Sequence, residues 1–103
     1  MAIIKQDYGE IGGENTLIYD KVLNVKNSSK TYNNVKDCFV ILQNASGQTT
    51  FYLMLIIQDG VVNSDSFYSS YASYSYDSTT HDLTITWTNS GIGGNIYILY
   101  DQY

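Results

Sequence analysis

Residues 51–62 read FYLMLIIQDGVV. From Phe51 to Ile57 every side chain is aromatic, β-branched or long and apolar, which suits a pleated strand. Phe51, Leu53, Leu55 and Ile57 share one face by strand geometry, and Tyr52, Met54 and Ile56 share the other. Asp59-Gly60 follows between two apolar flanks, the strongest short-range signal for a two-residue hairpin. The stretch therefore predicts an antiparallel strand that is apolar on both sides and turns straight back on itself.

Working outward from this hairpin gives more strands of the same kind. Upstream, Cys38 to Gln43 reads as a strand closed by the turn Asn44-Ala45-Ser46-Gly47. Before it, Leu17 to Val25 forms a strand, Asn27-Ser28-Ser29-Lys30 a polar loop, and Tyr32 to Val35 a short edge strand. Downstream, Val61 begins a strand or bend leading into the ribbon SFYSSYASYSY at 66–76, and Asp77 to Asp82 makes a turn. Leu83 to Thr88 alternates cleanly, with Leu83, Ile85 and Trp87 opposed to Thr84, Thr86 and Thr88. After the glycine-rich loop Asn89 to Gly94 comes a last strand, Asn95 to Tyr100. No window has helical spacing and there is no proline. About seven short strands separated by turn signals predict an all-β fold, an antiparallel β-sandwich or small jelly roll. At 103 residues one domain is expected, spanning 16–103, with 1–15 as a flexible N-terminal arm ending in a glycine cluster.

A two-layer sandwich buries one face of each sheet, so strands apolar on both faces need a second cover. Phe39 and Ile41 oppose Cys38, Val40 and Leu42, and Tyr97 and Leu99 oppose Ile96, Ile98 and Tyr100, in the manner of Met54 and Ile56. Left in water, such a face exceeds the apolar patches usual on soluble monomers. The expectation is a homo-oligomer whose interface includes Tyr52, Met54, Ile56, Tyr97 and Leu99. The rival cover is the N-terminal arm or a long loop of the same chain.

Charge and composition exclude several function classes. The net charge is −5, there is no arginine, and the five lysines all lie in the first 36 residues, so a phosphate-binding groove is not expected and neither is a nucleic-acid partner. No run has the length or apolarity of a membrane span or signal sequence, so neither membrane insertion nor export is expected. Cys38 is the lone cysteine and reads as a buried thiol. His81, the lone histidine, sits in a turn and reads as solvated; a small hydrolase would need it beside an acid in one cleft. The ten acidic residues lie mostly in turns, where they serve the backbone; they lack the spacing of a calcium loop, and a domain this small lacks the walls of the deep cleft that a glycosidase pair needs. No metal or cofactor is expected, and no enzyme activity.

The tyrosine–serine ribbon allows two readings. Tyr68, Ser70, Ala72, Tyr74 and Tyr76 share one face. Turned inward, that face is part of the core. Turned outward, Tyr68, Tyr74 and Tyr76 would offer rings and hydroxyls to a saccharide or a protein. The second case would suit a stand-alone carbohydrate-binding module.

The stretch Gln6-Asp7-Tyr8-Gly9-Glu10-Ile11-Gly12-Gly13-Glu14-Asn15, followed by a Tyr/Ser/Gly-rich all-β body, resembles small proteins of the tail modules of phages that infect Gram-positive bacteria. The resemblance implies a structural or adhesive virion component of the tail tip, baseplate or fibre region, present in several copies. Its partners would be other virion proteins and cell-surface glycan. It assigns no binding residue.

Overall fold

The computed structural model describes residues 17–45, 51–67 and 70–103, with the side chains of Phe51 and Phe67 left aside. Strands β1 (Ile18–Val25), β2 (Ser28–Tyr32), β3 (Val35–Asn44), β4 (Phe51–Gln58), β5 (Val61–Phe67), β6 (Ala72–Tyr76), β7 (Leu83–Trp87) and β8 (Gly94–Gln102) make two antiparallel sheets. One has the order β1-β8-β3-β4-β5 and the other β2-β7-β6. The fold is an all-β sandwich, as expected, with no helix among the described residues. The predicted arm at 1–15 and residue 16 lie outside those residues.

Local chemistry explains how the chain moves between sheets. It leaves β1 for the other sheet at Lys26-Asn27 and returns from β2 to β3 through Asn33-Asn34. Asn24, Asn27 and Asn34 adopt φ of 58°, 44° and 56°, the left-handed region that asparagine tolerates better than most side chains. At the β4–β5 hairpin Asp59 and Gly60 both have positive φ (51° and 76°), as the Asp-Gly pair predicts.

Three sequence assignments change. Ser28, Ser29 and Lys30, predicted as a loop, begin β2, and the predicted edge strand over Tyr32 to Val35 is broken at Asn33-Asn34, with Tyr32 ending β2 and Val35 beginning β3. Cross-strand hydroxyl pairs hold the polar β2 to β7: Ser29 Oγ to Thr86 Oγ1 at 2.7 Å and Thr31 Oγ1 to Thr84 Oγ1 at 2.9 Å. The ribbon at 66–76 is divided, since β5 ends at Phe67 and β6 starts at Ala72. That division raises the strand number above the expected seven.

The core lies between the sheets. Val40, Leu42, Leu53, Leu55, Ile57, Ile96 and Ile98 come from the larger sheet, and Leu83, Ile85 and Trp87 from the smaller. Trp87 is fully buried and donates Nε1–H to the carbonyl of Ile92 at 2.6 Å. Gly94 lies flat against this indole, where a β-carbon would come within 2.6 Å of Cε3.

Candidate functional site

The outer face of the five-stranded sheet is the feature that a two-layer fold leaves without a cover. Register places its side chains in rows across the strands. One row runs Tyr19, Leu99, Phe39, Ile56 and Ser64, and the next runs Lys21, Tyr97, Ile41, Met54 and Ser66. Phe39 is 42% exposed, Met54 and Ile56 38% each, and Tyr19 44%, while Ile41, Tyr97 and Leu99 are half-buried. Seven aromatic or aliphatic side chains thus adjoin across four strands on one surface. A shallow groove of about 260 Å³ opens in it between Leu17, Phe39, Ile56 and Leu99.

The charges on this face stand at its two ends. Lys21 lies at one, in the β1 edge strand, and is exposed. At the other, Asp37 and Asp101 are direct cross-strand partners. Asp37 N–H donates to Asp101 Oδ1 at 2.9 Å, and Asp59 N–H donates to Asp37 Oδ1 at 2.7 Å. Burial, and then a hydrogen bond with the Asp37 side chain, hold the Asp101 carboxyl above the usual carboxylate range. Local spacing contains no sign of this pair, because register joins two residues 64 positions apart.

Of the predicted interface residues, Met54, Ile56, Tyr97 and Leu99 share this face, and Tyr52 does not. The β3–β4 register passes from Leu42↔Leu53 to Gln43↔Phe51, leaving Tyr52 as the extra residue of a bulge. The bulge turns its ring onto the core, 5.3 Å from Trp87 and 6.3 Å from Tyr71 between centroids. Strict alternation placed it on the wrong side.

The ribbon's described tyrosines, Tyr71, Tyr74 and Tyr76, pack on the core, and Ala72 is buried. Tyr74 donates its hydroxyl to Asp65 Oδ2 at 2.6 Å and Tyr76 to the carbonyl of Val35 at 2.6 Å. Loss of solvation, followed by the Asp65 contact, pushes the Tyr74 hydroxyl up to about 12. Of the two readings of this face, the core one describes Tyr74 and Tyr76, whereas Tyr68 lies outside the described residues. On the opposite edge of the sandwich Tyr32 donates to Asp20 Oδ2 at 2.8 Å, a second tyrosine–aspartate strut between the sheets.

The chemically reactive candidates are embedded in structure. The Cys38 thiol is buried, and that burial pushes it up to about 12, so the thiolate is scarce at neutral pH. His81, expected to be solvated, is half-buried at φ 64°, with its ring 4.4 Å from that of Tyr103 and 6.1 Å from that of Tyr76. Asp77 caps the preceding turn, accepting from the backbone N–H of Thr80 and Thr79, which hold its carboxyl below the usual range. Among the described residues no three His, Cys, Asp or Glu side chains converge as a metal site. Comparison with protein-family models, curated proteins and solved structures finds no match to this chain.

Proposed function

We propose that the chain is a non-enzymatic building block that self-associates through the outer face of its larger sheet. The observation carrying this reading is the exposure of Phe39, Met54 and Ile56 side by side, flanked by Tyr19, Ile41, Tyr97 and Leu99. Full burial of such a side chain from water contributes roughly 1.5–3 kcal/mol, so covering the 38–42% of Phe39, Met54 and Ile56 that is still exposed contributes on the order of 1 kcal/mol each, and a self-complementary contact gains it twice. The opposite outer face suits a different neighbour. It is a grid of hydroxyls, with Ser29, Thr86 and Ser73 in one row and Thr31, Thr84 and Ser75 in the next, and it belongs in water. One face associates and the other stays wet.

On the N-terminal resemblance, the assembly is a structural or adhesive part of a phage tail-type particle. Neighbouring genes without tail components would remove that setting and leave self-association standing. A glycan array tests the adhesive role; a silent array would reduce the reading to structure alone. Self-association itself is tested by light scattering of the full chain at micromolar concentration. A mass at least twice that of the chain is expected, falling to the monomer mass in Ile56→Lys. A monomeric wild type would overturn the reading.

A further inference from the structure

The charge layout restricts how two such faces can meet. Lys21 lies two residues to one side of the Tyr19–Leu99–Phe39–Ile56 row, and Asp101 lies two residues to the other. Face-to-face sheets with aligned strands admit two symmetric arrangements, with the two-fold axis along the strands or across them. An axis along the strands maps each row onto itself. It would set Asp37 and Asp101 of one copy against the same acids of the other, under a layer of apolar side chains. Like charges so placed are destabilising.

An axis across the strands reverses the order of the rows. The Lys21 row then covers the acidic row, and Lys21 arrives over Leu17, one strand of about 4.8 Å away from Asp101. Sheets pack about 10 Å apart, a gap that an extended lysine and an aspartate close between them. Tyr97, in the same strand as Asp101, comes over it as well. Its hydroxyl oxygen accepts from Asn95 Nδ2, so its proton is available to a carboxylate. The described charged side chains of these three rows are Lys21, Asp37 and Asp101; Ile41 comes over Asp37, which accepts from Asp59 N–H in its own chain, and Lys36, at the bulge beside Asp37, already acts on Asp101 from the same chain.

We infer that the partner on this face is a second copy of the chain, related by a two-fold axis along the Tyr19–Leu99–Phe39–Ile56 row, with Lys21 of each copy beside Asp101 of the other. This rests on the self-association proposed above and adds its register. The symmetry makes the lysine–aspartate contact occur twice, so one substitution removes both.

Charge exchange tests the register by sedimentation of the full chain at low salt. Lys21→Asp and Asp101→Lys should each weaken dimerisation about tenfold or more, and the double variant should recover to within about threefold of wild type. A wild-type dimer whose double variant is no tighter than the singles would overturn the register while leaving self-association intact. A monomeric wild type would instead overturn the earlier reading. Should Asp101→Lys disturb the fold, cysteine pairing gives the same answer. Lys21→Cys and Asp101→Cys, held too far apart for a direct disulfide by a sheet spacing of about 10 Å and an offset of one strand, should when mixed be joined as a heterodimer by a short bis-maleimide that joins neither to itself. A mixture that stays unlinked at dimer-forming concentration would refute the arrangement.

Discussion

Gly94 shows how much the core asks of a single position. Its backbone lies against the face of Trp87, and an added β-carbon would sit 2.6 Å from ring carbon Cε3. The indole is fully buried and tied to Ile92, so it has no easy retreat. Gly94→Ala should therefore cost about 1–3 kcal/mol, read as a lower urea midpoint at unchanged slope. Asp101 works in the opposite sense. Burial first, then the hydrogen bond with the Asp37 side chain, raises its pKa in the folded chain above the unfolded value, against the lowering effect of the Asp37 backbone N–H. A raised acid contributes stability that is fully present below the unfolded pKa and is lost as pH rises through the folded one. In an Ile56→Lys background, where association does not enter, Asp101→Asn should melt higher than its parent at pH 7. The two should converge towards pH 4. Equal melting points at pH 7 would show that the pair carries no strain.

Each open side of the sandwich is held by one strut between edge strands, Tyr32 of β2 to Asp20 of β1 and Tyr74 of β6 to Asp65 of β5. Tyr32 is buried, whereas the Tyr74 bond is open to water. A hydrogen bond to a charged acceptor is worth about 1.5–3 kcal/mol when well shielded and less when wet. Tyr32→Phe should consequently cost about 1–2 kcal/mol and Tyr74→Phe under about 1, as compared by chemical denaturation; the reverse order would contradict this view of the two edges. These elements also mark how far the sequence could be read. Alternation and turn chemistry were enough for β4, β7, the Asp-Gly hairpin and the apolar outer face, because each signal is local. Three features depended on distant partners. The polar β2 is a strand because its hydroxyls meet Thr84 and Thr86 of β7. Tyr52 turns inward because a bulge breaks the period of two. The Asp37–Asp101 pair exists only in register. Spacing along the chain contains none of that information.

The two outer faces of the molecule differ in chemistry, one with Phe39, Met54 and Ile56 and the other with a lattice of serine and threonine. Both sheets are antiparallel, so the difference lies in their side chains. β3 and β4 alternate between two apolar sets, while β6 and β7 alternate apolar with hydroxyl. A domain that only had to remain folded would gain from polar residues on both outer faces, since exposed apolar rows invite aggregation. Keeping them is reasonable when another copy removes them from water, and then folding and association are linked by mass action. Each tenfold rise in protein concentration adds about 1.4 kcal/mol per dimer. For a domain of this size that raises the melting midpoint by roughly 3–6 °C. Wild type should show this concentration dependence in calorimetry, and Ile56→Lys should melt at one temperature throughout. A wild-type midpoint that stays fixed from about 10 to 1,000 µM would mean that the apolar rows remain uncovered by a second copy, and the paired-face architecture would have to be abandoned.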